Sequence, residues 1–375
     1  MRVFVRDPMM RRAGEIKLIL KDSKAVLRES GVGTFAFNVA GTDPMVARIE
    51  RFWGLIVTDG DQVIFSGDIL KTGTTDNPDG TTTVTYSGET DMRALTRVTY
   101  PDPLKPPNAQ TVAYYTDSGP AETVIRRLVD RNAGPGALPA RRHRGLTVPA
   151  TAGAGSTVKV STRLKDLREE VASLARAGGL VVDVIQVDGS RALVTRPARD
   201  LSRAIRLTRG TSTREGQVSA SSTSVTEPSV TAVIVGAQGQ GAARALSEYT
   251  TSAPGEDRLE VFQDRRDTPD VDEIAKAAAQ TLEDGAASAS ASCDVAETPN
   301  RRFGTDYLLG DTVTVEPRPG VKITDRVVVA EITWDEFNRT VRLTIGDHAT
   351  EEDKAPAWVK KVRDLSRRLR RQETI

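Results

Sequence analysis

The feature that most constrains this chain is a β-strand pattern that occurs twice, once near each end. Residues 54–88 read as strand, tight turn at Asp59 and Gly60, strand, long polar turn at 77–80, and strand. A looser version with the same order runs over residues 311–346, with one strand shifted by a residue. A repeated pattern without repeated identity indicates two similar β-domains in one chain. Three copies of such a chain would present six similar surfaces.

The bulk composition limits the class of protein. At 375 residues the chain is long for a single core, which predicts about two to four domains. Lysine and arginine total 52 and aspartate and glutamate 51, which argues against a protein that binds nucleic acid mainly through net charge. We expect no membrane span, no signal peptide and assembly in the cytoplasm. The single cysteine, Cys293, excludes an intrachain disulfide and a multi-cysteine metal site.

Strand signals, helix signals and a proline-rich stretch at residues 100–107 divide the chain into segments. We predict a mainly β fold with α+β insertions: two similar β-domains, an α/β module between them, and a helical insertion that splits the second β-domain. The predicted bounds are 1–105 for the first β-domain, 106–200 for the α/β module, 201–245 and 300–348 for the second β-domain, 246–299 for the inserted α/β segment, and 349–375 for a basic C-terminal helix.

Three amphipathic helices precede that C-terminal segment. The first starts near residues 118–122, and its apolar face is Val124, Ile125, Leu128 and Val129. The second spans about 164–177, with a stripe made of Leu164, Leu167, Val171 and Leu174. The third spans about 271–283, with a face made of Val271, Ile274, Ala278 and Leu282.

The C-terminal segment carries a short heptad-like seam formed by Trp358, Val362, Leu365 and Leu369. An isolated helix of this length is marginal in water, so the seam needs a partner. The seam could pack against its own chain or against other copies, and these four residues are our candidate contacts for an oligomer or partner. The basic residues in its last turns complement the helix dipole and do not by themselves indicate nucleic acid.

The chain offers little for catalysis by the common routes. Its two histidines, His143 and His348, lie in no metal-ligand spacing, and no serine sits in a G-x-S-x-G motif. We therefore predict no enzyme activity, no catalytic residues, no metal and no cofactor. A Ser-His-Asp site is not excluded by sequence, because its members meet only in the fold.

A glycine-rich segment follows the strand at 230–235 and contains Gly236, Gly239 and Gly241. Its spacing is not the G-x-G-x-x-G of dinucleotide-binding proteins, and no sound helix follows it. The favoured interpretation is a structural loop in which the glycines supply positive φ angles as the chain leaves the strand.

Four segments together resemble a known family: Trp53 to Val57 with Phe65 to Gly67, Ser118 to Thr123, Val233 to Arg244, and Leu309 to Val313. They are similar to segments of the tail-tip hub proteins of long-tailed bacteriophages, in particular the minor tail proteins of actinobacterial siphophages of the ReqiPepy type. The resemblance runs from Met1 to about Gly346. These motifs are turns and strand ends, and they carry no chemistry of their own.

The resemblance implies an architecture and a set of partners. Two β-barrel hub domains per chain and three chains would build a pseudo-sixfold ring around the DNA exit channel of a virion tail tip. The expected partners are other copies in a homotrimer, the distal tail protein and tail tube above, a tip fibre or receptor-binding protein below, and the tape-measure protein and transiting DNA in the channel. We expect no lytic domain, since only about thirty residues follow Gly346.

Two other interpretations remain open. The chain could be a carbohydrate-binding adhesin of the tail tip, although only 17 of its residues (8 Phe, 3 Trp and 6 Tyr) are aromatic, which would leave few platforms for stacking sugars. It could also be the equivalent hub of a contractile injection particle. A hydrolase with polysaccharide-binding β-domains is a third class, and the scarcity of histidine counts against it.

Overall fold

A computed structural model describes residues 1–210, 216–239, 241–253, 257–266, 271–334 and 339–346. Within these ranges the helices are α1 (Ala121–Asn132), α2 (Leu167–Ala177) and α3 (Val271–Asp284). The strands are β1 (Arg2–Arg6), β2 (Arg12–Ile16), β3 (Leu18–Arg28), β4 (Thr34–Ala40), β5 (Gly54–Asp59), β6 (Gln62–Asp76), β7 (Thr82–Thr90), β8 (Tyr115–Pro120), β9 (Leu146–Thr147), β10 (Thr157–Thr162), β11 (Leu180–Val187), β12 (Ser190–Pro197), β13 (Arg206–Thr208), β14 (Val218–Thr226), β15 (Ala232–Gly236), β16 (Leu246–Thr250), β17 (Glu260–Asp264), β18 (Ser288–Val295), β19 (Thr312–Arg318), β20 (Val321–Trp334) and β21 (Arg339–Ile345).

Both copies of the strand pattern are present in the structure. The first is the antiparallel series β5, β6 and β7, and the second is the antiparallel series β19, β20 and β21. The prediction of a mainly β fold is confirmed. The turn predicted at Asp59 and Gly60 is a two-residue loop, Gly60–Asp61, in which Gly60 has φ +58°.

The two copies lie in one sheet. Its main path is β14-β18-β21-β20-β3-β4-β7-β6-β5-β1-β2, and β19 pairs with β20 and β13. The junction is β20, whose first half pairs with β19 and whose second half pairs with β3. Because β20 is 14 residues long, one strand can serve both partners in succession. No closed barrel forms among the described residues, so the two-barrel arrangement stays a prediction.

Aromatic side chains from both copies share the core of this sheet. Phe35 and Phe37 stack with ring centroids 5.6 Å apart, and Trp334 of β20 meets Phe37 edge-on at 5.4 Å. Phe65 of β6 lies 6.0 Å from Phe35. Aromatic pairs of this kind each add about 0.5–1.5 kcal/mol beyond the area they bury. The apolar contacts therefore reinforce the hydrogen bonds that join the copies.

The α/β part has a core of its own, built by α1, α2 and the β11–β12 hairpin. The predicted face of α1 is fully buried. Helix α2 begins at Leu167, three residues later than predicted, because Leu164 has φ +53° and Asp166 caps the helix by accepting the Arg168 N–H. Leu164 is consequently 52% exposed and does not belong to the buried stripe.

The chain separates into two compact units. One comprises residues 1–222 and 291–345, and the other contains residues 223–290. In the second unit β15 pairs with β16 and β17, and α3 buries Ile274 and Ala278 against Val233 and Val235. The strand at 230–235, grouped by sequence with the second β-domain, thus pairs inside the smaller unit. Val271 at the start of α3 is exposed. The predicted domain bounds themselves stay predictions.

Candidate functional site: a buried ion cluster and an adjoining cavity

A cluster of four charged residues lies inside the larger unit. Arg6 of β1 donates to both carboxylate oxygens of Asp91 at 2.6 Å, and Arg191 of β12 donates to Asp91 Oδ1 at 2.8 Å. Both arginines also contact Asp68 of β6, Arg6 at 3.0 Å. Arg6, Asp91 and Arg191 are at most 1% exposed. Two positive and two negative side chains therefore balance each other, and of the four Asp68 is the one that is partly exposed to water.

The ionisation of this cluster follows from its contacts. Burial alone would raise the pKa of Asp91, but hydrogen bonds and charge from Arg6, together with Arg191 and Ser66, outweigh it and hold the pKa below its ordinary value. Ser66 Oγ donates to Asp91 at 2.6 Å, and the Gln186 N–H donates to Ser66 at 2.7 Å. The cluster thereby ties β1 and β6 to the β11–β12 hairpin.

Glycines of the recognised motifs make room for the cluster. A Cβ on Gly54 would lie 2.5 Å from Arg6 Nε and 2.4 Å from the Gly67 carbonyl oxygen. A Cβ on Gly67 would lie 2.3 Å from the Glu89 carbonyl oxygen. The motif residues at 53–57 and 65–67 therefore permit close strand packing and admit a buried guanidinium. Arg6 and Asp91 were not predicted from the sequence, because each appears there only as a charge at the end of a strand.

The other two motifs of the larger unit also hold buried carboxylates. Asp311 accepts from Arg196 at 2.7 Å and from Arg199 at 2.5 Å. Glu122 accepts the Ala152 and Ala154 N–H groups at 3.0 and 2.9 Å. Burial would raise the pKa of Glu122, but these bonds, with those from Thr195 and Arg126, lower the pKa to about 2.

A cavity of about 250 Å³ adjoins the cluster along β6 and β11. Its walls are mainly apolar, and they include Leu27, Phe65, Val181, Ile185, Phe303 and Leu308. One carboxylate, Asp183 of β11, also lines it. Asp183 is half-buried, and its Oδ1 accepts the Val184 N–H at 2.7 Å. Among the described residues no ion pair engages it.

Asp183 and Asp91 show how neighbouring carboxylates differ. Burial raises the pKa of Asp183 to about 7 against the hydrogen bond from the Val184 N–H, which lowers it. The charges of Asp91 and Arg196 have smaller and opposite effects on this pKa. Asp91 is more deeply buried than Asp183, but two arginines contact it and hold its pKa below the ordinary value. A carboxyl with a pKa near neutrality inside a cavity is a recognised mark of a binding or catalytic site.

The loop that contains Gly236, Gly239 and Gly241 is held by hydrogen bonds from the Arg244 side chain. Gly239 and Gly241 have φ +117° and +54°. A Cβ on Gly236 would lie 2.5 Å from the Arg244 guanidinium, which donates to the Gly236 and Ala237 carbonyl oxygens at 2.7 and 3.1 Å and to Asp264 at 2.6 Å. The space beside Gly236 is thus filled by the chain's own arginine.

The remaining candidate residues fall in three places. Burial, with the charges of Arg191 and Arg97, lowers the pKa of His143 to about 4, so this imidazole is neutral at pH 7. Burial raises the pKa of Cys293 to about 12. His348 and the seam residues Trp358, Val362, Leu365 and Leu369 lie outside the described residues.

The described residues contain no group of three or more histidine, cysteine, aspartate or glutamate side chains able to hold a metal ion. None of the described helices has the length and apolar character needed to cross a membrane.

The fold is that of bacteriophage tail proteins. The 43 kDa tail protein of prophage MuSo2 from Shewanella oneidensis matches with a TM-score of 0.57 and 13% identity, over 92% of this chain and 98% of that chain. A tail protein from Neisseria meningitidis MC58 matches with a TM-score of 0.58 and 13% identity, over 93% and 97%. Prophage tail protein gp18 from Listeria monocytogenes EGD-e matches with a TM-score of 0.55 and 12% identity, over 97% and 100%.

The sequence supplies the family. Residues 2–347 match the Siphovirus ReqiPepy6 Gp37-like protein family, and the chain belongs to it. The resemblance drawn from the four motifs is therefore confirmed, and the chain is a structural protein of a phage tail and hence a virion component. A search of curated proteins gave no match.

Proposed function

We propose that this chain is the hub at the distal end of a phage tail, where three copies form a ring around the DNA exit channel. The observation that carries the proposal is the duplicated strand pattern, whose two copies are joined in one sheet through β20 and β3. Three such chains display six similar surfaces. A hub of this kind matches a sixfold tail tube on one side and a threefold tip on the other.

The partners of the proposed hub follow from that position. The distal tail protein and tail tube lie above the ring, a tip fibre or receptor-binding protein lies below it, and the tape-measure protein and transiting DNA occupy the channel. Family membership and the similarity to phage tail proteins support a place in the tail. The near-equal numbers of basic and acidic residues suit a wall along which DNA passes without being retained.

Electron microscopy of the purified chain tests the ring. We expect class averages at micromolar concentration to contain threefold rings with a central hole, and mass photometry to give three times the chain mass. The same chain should also be mixed with isolated tail tubes, to include the case of a hub whose ring closes only when it is bound to the tail tube. Single particles in both samples would overturn the proposal, and glycan-array binding by such a monomer would favour an adhesin.

Residues 355–375 provide a second test. We propose that the seam Trp358, Val362, Leu365 and Leu369 docks other copies or the tip fibre. Particles made with a chain lacking residues 355–375 should then lack complete tips while the β-sheet keeps its circular dichroism spectrum. Complete tips would refute docking by the seam and leave the hub itself untouched.

The hub is proposed to act without enzymatic activity. Pure chain should leave host cell walls intact in a zymogram, in contrast to a lysozyme control. Clearing by the chain, lost on heating, would contradict this part of the proposal.

A further inference from the structure

We propose that the cavity between β6, β11 and the 303–309 segment is a binding site for a primary ammonium group carried on an apolar chain, with Asp183 as its counter-ion. This inference goes beyond the hub function and does not depend on it. It rests on the shape of the cavity, the chemistry of its walls and the position of one unpaired carboxylate.

The walls define the body of the ligand. Side chains of Leu27, Phe65, Val181, Ile185 and Phe303 provide an apolar surface that would contact methylene groups. The volume of about 250 Å³ lies just below the range of about 300–1,000 Å³ that is usual for sites of drug-sized ligands. This volume has room for a ligand with an apolar body of several carbon atoms, such as a butyl chain.

Asp183 defines the charged end of the ligand. Its Oδ1 accepts the Val184 N–H, and the Asp183 side chain lines the cavity. An ionised carboxylate among apolar walls is costly unless a cation faces it. The adjoining Asp91 meets that need with Arg6 and Arg191, whereas the described residues around Asp183 supply no such contact. An ammonium ligand would complete the same balance.

The two arginines on the cavity wall have other roles. Arg196 is held by Asp311 at 2.7 Å and also contacts the Leu309 carbonyl oxygen. Arg28 is exposed to solvent at the end of β3. Neither arginine forms an ion pair with Asp183, so no cation among the described residues contacts this carboxylate.

Protonation of Asp183 should compete with the ligand. Burial raises the pKa of this carboxyl to about 7. Above that pH the carboxylate is ionised and attracts an ammonium group, and below it the neutral acid does not. Affinity for the cation should therefore fall as the pH is lowered through 7, while the ammonium ligand itself keeps its charge.

Calorimetric titration of the full chain with n-butylammonium chloride tests the site. We expect saturable binding at about pH 8.5 that weakens about tenfold or more at about pH 5.5 and in the Asp183→Asn variant. The neutral isostere n-butanol should bind much more weakly than n-butylammonium. Asp188→Asn is the matched control, because Asp188 lies at the exposed turn of the same hairpin and has φ +44°, which asparagine tolerates.

Several results would overturn the assignment: no saturable binding at either pH, equal binding of butanol and butylammonium, unchanged binding by Asp183→Asn, or an equal loss in Asp188→Asn. Folding of each variant is checked by circular dichroism, and an Asp183→Glu variant keeps the charge if Asn perturbs the hairpin.

A titration with blocked lysine, Nα-acetyl-lysine N-methylamide, separates two sources of the ammonium group. Tighter binding of blocked lysine points to a lysine side chain of another protein chain, and tighter binding of butylammonium points to a free amine.

Discussion

Replacement of Asp91 by alanine should strongly destabilise the larger unit. The change leaves two guanidinium groups, those of Arg6 and Arg191, inside the protein and removes four hydrogen bonds of 2.6 to 2.8 Å. Deleting one member of a buried ion pair costs about 3–5 kcal/mol, because the remaining charge stays desolvated.

The geometry places the expected loss toward the lower end of that range. Asp68 remains in contact with both arginines, so one negative charge still faces two positive charges. Asp68 is also 17% exposed, which lets water approach the pair. We therefore expect Asp91→Ala to lower the free energy of unfolding by about 3 kcal/mol.

Urea unfolding followed by tryptophan fluorescence measures this loss, since Trp53 and Trp334 both belong to the larger unit. The matched control is Glu15→Ala, which breaks the ion pair of Arg2 and Glu15 on the protein surface. A surface pair contributes far less, because water already solvates both charges.

The pH dependence supplies an independent check. The pKa of Asp91 is lowered in the folded state, so its stabilisation is present above the ordinary value of 3.8 and is lost as the pH falls through the lower folded value. The gap between wild type and variant should thus be complete at neutral pH and shrink only in strong acid. A loss below about 1 kcal/mol at neutral pH, or one equal to that of Glu15→Ala, would refute the reasoning.

Three further predictions concern single sites. Because the pKa of Asp183 is raised, the folded state binds more protons than the unfolded state between about pH 4 and 7, and the stability that this group contributes falls as the pH rises through that window. Asp183→Asn should remove this pH dependence and raise the free energy of unfolding above pH 7 by at most about 4 kcal/mol. Urea unfolding as a function of pH measures both effects. Gly236→Ala should cost about 1–3 kcal/mol by displacing Arg244 from its acceptors, and almost nothing in an Arg244→Ala background; equal costs in both backgrounds, by thermal unfolding, would contradict the contact. Glu122→Gln should be less stable than wild type at neutral pH, with a gap that closes as the pH falls toward 2, where circular dichroism should find the two alike.

The spacing of apolar residues predicts burial correctly where residues close together in the chain decide it. The face of α1 was read correctly because residues three and four apart in a helix share a side. Leu164 shows the limit of such reasoning. Its position fits the helical spacing, but its φ angle is positive and Asp166 caps the helix, so α2 begins after Leu164. Capping depends on a hydrogen bond that periodicity does not encode.

The candidate site was beyond sequence reasoning for a related reason. Arg6, Asp68, Asp91 and Arg191 come from four elements, and the first and last are 185 positions apart in the sequence. Each appears in the sequence as an isolated charge, and isolated charges are usually solvated. Asp183 likewise reads as the polar residue of an alternating strand.

By itself, the sequence determined the mainly β class, the two strand patterns, the apolar face of α1 and the family. Each of these depends on residues near one another in the chain or on contiguous sequence motifs. Only the tertiary structure decided that the patterns share one sheet through β20, that two arginines contact Asp91, and that Asp183 lines a cavity where no described residue forms an ion pair with it. The physical reason is that strand pairing, burial and charge compensation are contacts between distant segments, and their energies are set by which segments meet.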